Sequence, residues 1–128
     1  MIVDTSALMA VILGESDAET YLKAMTGAPT LAVSAVSLTE ALIVAEARQG
    51  LEAAADLGAL LAELEAEVVA VDERQAEAAA SAWRRFGKGR HPAGLNLGDT
   101  FSYALAGIRS EPLLFKGRDF AATDVIQA

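Results

Sequence analysis

The sequence predicts an α/β fold: a mostly parallel central sheet of about four or five strands flanked by helices. Three observations carry that expectation. Four short apolar runs, Ile2-Val3, Leu31-Ala32-Val33, Val68-Val69-Ala70-Val71 and Pro112-Leu113-Leu114-Phe115, have the length and unbroken hydrophobicity of strands buried on both faces. Longer segments of helical periodicity lie between them, and strands alternating with helices build parallel sheets through crossover connections. The 128 residues suit one domain and are enough to bury a sizeable core.

The elements follow in order. The first strand begins without a polar run-in, and Asp4 stops it. An acid there stands at the strand's carboxyl end, the edge along which open α/β sheets bind ligands. Thr5 and Ser6 follow, with hydroxyls able to cap the next helix or hydrogen-bond Asp4. Ser16-Asp17-Ala18-Glu19 has capping-box spacing and opens a helix running to about Met25, before Gly27 and Pro29. Ser37-Leu38-Thr39-Glu40 repeats that spacing after the second strand and opens a helix ending near Gly50. From Leu51 to Glu67, the positions Leu57, Leu60, Leu61 and Leu64 recur at amphipathic spacing. Asp72 follows the third strand and caps an alanine-rich helix through Phe86, with Gly87 and Gly89 as left-handed stops. An irregular loop over 87–99 then delivers Asp99 to the start of a helix at Thr100–Arg109, and Lys116-Gly117-Arg118-Asp119-Phe120 follows the fourth strand.

Composition narrows the class. Hydrophobic residues make up 53% of the chain, yet charges interrupt every long apolar run before the roughly 18 residues of a membrane span. No basic leader precedes Asp4, and the absence of Cys excludes disulfides and thiolate metal sites. The expectation is a cytoplasmic protein with no membrane partner. The net charge of −8 opposes nucleic-acid binding by the body of the molecule. However, Arg84, Arg85, Lys88 and Arg90 cluster beside His91. A solvated charged face is the plainer explanation of that cluster, and a phosphate-holding patch the alternative.

Four acids carry the chemical signal. Asp4 follows strand one, Glu40 lies after strand two, Asp99 opens a helix and Asp119 follows strand four. All four can converge over one sheet edge. Clustered carboxylates repel one another unless protonated, paired with cations or neutralised by metal. With oxygen donors only, Mg2+ or Mn2+ is the natural ion, and such ions activate water for phosphodiester cleavage. Each acid also has a structural explanation: Glu40 completes a cap on Ser37, Asp99 suits a positive helix end, and Asp119 pairs with Arg118 or closes a turn.

On these residues the chain resembles the PIN-domain ribonucleases and, among them, the VapC toxins of bacterial toxin–antitoxin pairs. The resemblance rests on Met1-Ile2-Val3-Asp4-Thr5-Ser6-Ala7, the Glu40 helix start, the stretch Gly87 to Asp99, and Pro112 to Phe120, and it spans essentially the whole chain. It implies a single PIN-like domain over 1–128 and a Mg2+-dependent endoribonuclease that cuts structured RNA, transfer or ribosomal, and so inhibits translation. It also implies a homodimer held by a cognate VapB-type antitoxin, which often places an Arg in the acidic pocket. In that scheme Asp4 and Asp99 ligate the metal, Glu40 orients or deprotonates the attacking water, and Asp119 assists through water. Arg84, Lys88, Arg90 and His91 hold the RNA backbone, although His91 also suits an ordinary loop role. One departure stands out: many relatives carry Asp or Asn where this chain has Gly117, so Asp119 takes the fourth acid's part, with Asp124 an outside candidate.

Three other readings compete. A receiver-like phosphoacceptor domain would use Asp4, Asp72 and Lys116, yet receivers carry adjacent acids near the first strand where Thr5 and Ser6 stand here. A haloacid-dehalogenase phosphatase needs a second Asp where Ser6 lies. A non-catalytic interaction module would leave every acid structural.

Overall fold

In the computed structural model, which describes residues 1–128, the first strand β1 (Ile2–Val3) lies inside the sheet. It pairs in parallel with β2 (Ala32–Ser34) on one side and β4 (Leu113–Leu114) on the other. The edge strand β3 (Glu67–Val69) pairs with β2, also in parallel, giving the order β3-β2-β1-β4. The chain therefore moves outward from β1 through β2 to β3 and then crosses back to place β4 on the far side. The strand order reverses beside β1. Ligands of open α/β sheets bind outside the carboxyl ends of the strands at such a reversal.

Six helices flank the four strands: α1 (Thr5–Ile12), α2 (Ala18–Gly27), α3 (Ala35–Gln49), α4 (Leu51–Glu63), α5 (Glu73–Phe86) and α6 (Leu97–Arg109). A short 3-10 turn covers Phe120–Ala122. Successive strand side chains point to opposite faces, so β1, β2 and β4 each feed two cores. Ile2, Ala32 and Leu113 enter one cluster with Phe86, Leu95, Leu105 and Phe120. Val3, Val33 and Leu114 enter the other, with Leu8, Met25, Leu57 and Leu61. These six residues of β1, β2 and β4 are buried as expected, whereas the third run is not: Val68 is 47% exposed and Val69 only half-buried, because β3 is an edge strand.

Several boundaries differ from the expectation, each for a local reason. The segment after β1 holds two helices, because Gly14 adopts a φ of +66° and turns the chain between α1 and α2. Ser16 does not cap α2. Asp17 stands at its N-cap without a capping hydrogen bond, because its carboxylate instead accepts from Lys116 Nζ at 2.9 Å. Ser34, not Ser37, caps α3: its Oγ accepts from Val36 N at 3.3 Å, and Ser37 is already helical and buried. Glu40 consequently completes no capping box. The amphipathic helix stops at Glu63 and reverses at Glu65, whose φ is +51°, so β3 begins at Glu67. Gly87 is not left-handed; its φ is −68°, and a Cβ there would collide with the Trp83 ring. Gly89, at +83°, is the left-handed one. Asp72 caps α5 as expected, accepting from Gln75 N at 2.9 Å.

Candidate functional site

Asp4 is the anchor. It leaves β1 with its backbone N–H bonded to Leu114 O at 2.9 Å, and its carboxylate caps α1 by accepting from Ser6 N at 2.9 Å. The Ser6 hydroxyl donates to the same oxygen, Oδ2, at 2.6 Å and accepts from Lys116 N at 3.0 Å, tying the ends of β1 and β4 together. The second oxygen, Oδ1, accepts from Ser102 Oγ at 2.6 Å. The carboxylate is 3% exposed and fixed from both sides.

Asp99 comes from α6, where it is the third helical residue. It forms a reciprocal capping box with Asn96: Asp99 N–H donates to the Asn96 side chain at 2.9 Å, and Asn96 N–H donates to Asp99 Oδ2 at 3.0 Å. Despite that favourable seat at the positive helix end, its pKa is pushed up to about 6. Burial is the main cause, the Asn96 N–H opposes it, and the charges of Asp4, Asp119 and Glu40 add to it. Four acids therefore share one electrostatic neighbourhood.

Glu40 arrives from the second turn of α3. Its carboxylate lies so close to Gly98 that a Cβ there would meet Glu40 Oε2 at 2.6 Å. A side chain at position 98 would displace the Glu40 carboxylate from its place against the first turn of α6. Asp4, Glu40 and Asp99 line one cavity of about 210 Å³ with Thr5, Ser6 and Arg48. Asp119 is exposed, ahead of the 3-10 turn, and outside the cavity's lining, so it reaches Asp99 by charge from the rim. Gly117 has a φ of +107°, a conformation in which a side chain would be strained.

The donors suit a hard divalent ion by chemistry: every one is a carboxylate oxygen, Glu40 accepts no hydrogen bond, and Asp99 keeps Oδ1 free. They do not form a closed cage, since no three of them are grouped tightly enough to enclose an ion. Mg2+ keeps several waters and binds through one or two carboxylates, so an open arrangement fits it better than a cage would.

The remaining candidates divide. Arg90 stacks its guanidinium over the Trp83 ring at 4.7 Å and donates to Arg84 O at 3.3 Å, leaving Arg84, Lys88 and Arg90 all exposed. Lys88 lines an apolar groove that includes Asn96 and Leu97; the same two residues line a second groove that includes Glu40. The basic loop thus meets the acids through the start of α6. Arg85 belongs elsewhere, bound to Asp124 at 2.8 Å and Tyr103 at 3.2 Å, which also removes Asp124 as a fourth acid. The His91 ring accepts from Ala93 N at 3.0 Å and packs edge-on to Phe86, so it shapes the loop. Asp72 spends its carboxylate on the α5 cap beyond the edge strand, and β2 separates β3 from β1. Lys116 is clasped by Glu15 and Asp17, and the Glu15 hydrogen bond first, then that of Asp17, holds its pKa above the ordinary range. The receiver arrangement is not assembled.

The family profile described as PIN domain matches residues 1–126. The chain is 49% identical to a Ribonuclease VapC of Mycolicibacterium smegmatis, over 98% of this chain and 97% of that protein. It is 46% identical to Ribonuclease VapC30 of Mycobacterium tuberculosis, over 98% and 95%. The chain belongs to the PIN-domain family, among its VapC ribonucleases. The fold of this PIN domain agrees: it superposes on the M. tuberculosis VapC20 toxin with a TM-score of 0.81 at 21% identity, covering 99% of this chain and 97% of that one. No helix in it is long and apolar enough to cross a membrane.

Arg48, which no sequence pattern above singled out, also lines the acidic cavity. Its signal was present: Glu40, Val44 and Arg48 recur every four residues on α3, so they share one face, and all three line the acidic cavity. Ser102 was missed as well, since its partner Asp4 lies 98 residues away.

Proposed function

We propose that this chain is a divalent-metal-dependent endoribonuclease toxin. The observation that carries this reading is the meeting of Asp4, Glu40 and Asp99 beside β1 at the sheet reversal, with Asp99 raised to about 6 partly by its acidic neighbours. Asp4 and Asp99 would hold Mg2+ or Mn2+, which when bound polarises the phosphodiester and makes water a better nucleophile. Glu40 accepts no hydrogen bond, and the missing Cβ of Gly98 leaves room for its carboxylate beside α6, so it is placed to take the proton of the attacking water. Asp119 orients water at the rim. Arg48 holds a phosphate across the cavity, and Arg84, Lys88 and Arg90 hold the backbone farther along, with His91 setting the shape of their loop.

The substrate in this reading is structured RNA, transfer or ribosomal, cut in the cytoplasm so that translation stops. Two partners complete it. A second copy of the chain forms a homodimer across the exposed apolar residues Ile43, Trp83 and Leu97. A VapB-type antitoxin restrains the pair, supplying an Arg that neutralises the crowded acids. Support for that partner is the fold shared with a chain of a toxin–antitoxin complex from Klebsiella pneumoniae, at a TM-score of 0.74. The test is to map cleaved RNA ends after induction, beside an Asp4→Ala control. The reading expects discrete new ends in one structured RNA, present with the wild type and absent with the variant; identical end maps contradict it.

A further inference from the structure

We propose that Ser37 and Ser102 form a buried, one-way hydroxyl relay that fixes the Asp4 carboxylate for cation binding, making Ser102 a positioning residue. The inference rests on the metal-dependent reading of the pocket and adds two residues that no acid pattern identifies.

Ser102 Oγ donates to Asp4 Oδ1 at 2.6 Å, and Ser37 Oγ lies 2.8 Å from Ser102 Oγ. The three side chains are 3%, 0% and 1% exposed for Asp4, Ser102 and Ser37, so water does not substitute for any link. The direction is fixed by chemistry. A carboxylate only accepts, so the single hydroxyl hydrogen of Ser102 goes to Asp4, and Ser37 must therefore donate to Ser102. Hydroxyls aligned in one direction polarise one another and strengthen the terminal bond.

A packing role does not explain the two serines. Four of the six other buried positions on α3 and α6 carry alanine, namely Ala41, Ala45, Ala104 and Ala106, and alanine is the better helix former. Hydroxyls that merely inhabit helices bond back to their own turn, as Thr39 does to Ala35 O at 2.8 Å and Thr100 to Leu97 O at 2.6 Å. Ser37 and Ser102 instead point across the helix interface to each other.

The acceptor count gives the consequence. A carboxylate offers about four lone-pair positions, two on each oxygen. Ser6 N and Ser6 Oγ fill both on Oδ2, and Ser102 fills one on Oδ1. One position remains open, on the oxygen that Ser102 holds in place. Ser102 thus sets where the free lone pair of Asp4 points. Loss of such an orienting partner typically weakens metal binding by about 10- to 100-fold.

The test is a Mn2+ binding isotherm on the purified protein, with circular dichroism as the check on folding. Asp4→Ala should abolish binding. Ser102→Ala should weaken it about tenfold or more with an unchanged spectrum. Ser37→Ala should weaken it less, about threefold, by loosening the far link. Ser37→Ala should add nothing in the Ser102→Ala background, because Ser37 acts only through Ser102. Hydroxyls that served packing alone would move the melting temperature and leave Mn2+ affinity alone. Wild-type affinity in Ser102→Ala, with Asp4→Ala dead, overturns the relay but keeps the pocket. Wild-type affinity in Asp4→Ala overturns the metal reading itself and the relay with it. Should Ser102→Ala fail to fold, Ser37→Ala decides, and unchanged affinity there overturns the relay.

Discussion

Asp99 is where the cost of assembling this site is most visible. Its ordinary carboxyl range lies near 3.8, and in the folded protein its pKa rises to about 6, chiefly through burial and then through Asp4, Asp119 and Glu40. Between those values the folded state holds a proton that the unfolded state lacks. Stability of the metal-free protein therefore falls as pH rises through that window and stays low above it. Asp99→Asn keeps the capping oxygen but removes the charge, so the variant should be more stable than wild type at pH 7 and level with it near about pH 3.5. Discounted for partial exposure, the gain at pH 7 is about 1–2 kcal/mol. Urea unfolding at both pH values measures it, and equal stability at pH 7 contradicts the crowding account. Glu40 gives a second prediction. Glu40→Gln should leave melting nearly unchanged, because Glu40 caps nothing, while turnover falls about 100-fold or more for want of a base. Gly98→Ala tests the same carboxylate without touching it. The added methyl lies 2.6 Å from Glu40 Oε2 and pushes that carboxylate aside, so turnover should drop in a protein whose helix content is preserved; normal turnover would show that the position of the Glu40 carboxylate is not critical.

At the level of elements, what local chemistry dictates was legible and what distant partners dictate was not. The first, second and fourth strand runs, the Asp72 cap and the placement of Asp4 and Asp99 near element ends follow from residue type and spacing, and the structure keeps them, whereas the third run becomes an exposed edge strand shifted back to Glu67. Ser34 and Ser37 show the limit. Both sit near the start of α3 with suitable side chains, and sequence spacing favoured Ser37 because Glu40 follows it by three. Pairing decided otherwise: β2 extends to Ser34 alongside Val69, which leaves Ser34 in extended backbone at the helix start and draws Ser37 inside toward Ser102. A partner 65 residues away leaves no trace in the local pattern. The convergence of Glu40 on Gly98 is likewise nonlocal, whereas Arg48 was readable from the four-residue spacing on α3. The capping assignments predict separable effects. Asp72→Ala should lower stability by about 1 kcal/mol and leave RNA cleavage intact, as measured by denaturant melts beside a cleavage assay. Lost cleavage in a folded Asp72→Ala protein would return that acid to the site.

The whole molecule carries −8, and its acidic pocket adds local repulsion, so RNA approaches only where cations are concentrated. Arg84, Lys88 and Arg90 are exposed and free of acidic partners, whereas Arg85 is spent on Asp124. Lys88→Ala and Arg90→Ala should weaken RNA binding and reduce its salt slope by about 1 for each phosphate that is no longer neutralised. Mn2+ affinity should stay at the wild-type value in both. Binding isotherms at several salt concentrations separate the two effects, and unchanged slopes would mean that RNA enters elsewhere. Activity stands on a single claim, that Asp4, Glu40 and Asp99 together cleave RNA with a divalent ion. The most direct measurement is the single-turnover cleavage rate of purified Asp99→Ala in saturating Mg2+, beside the wild type with and without Mg2+. The expected result is cleavage by the wild type only when Mg2+ is present, and none by a folded Asp99→Ala protein. Cleavage by Asp99→Ala at the wild-type rate would contradict the claim.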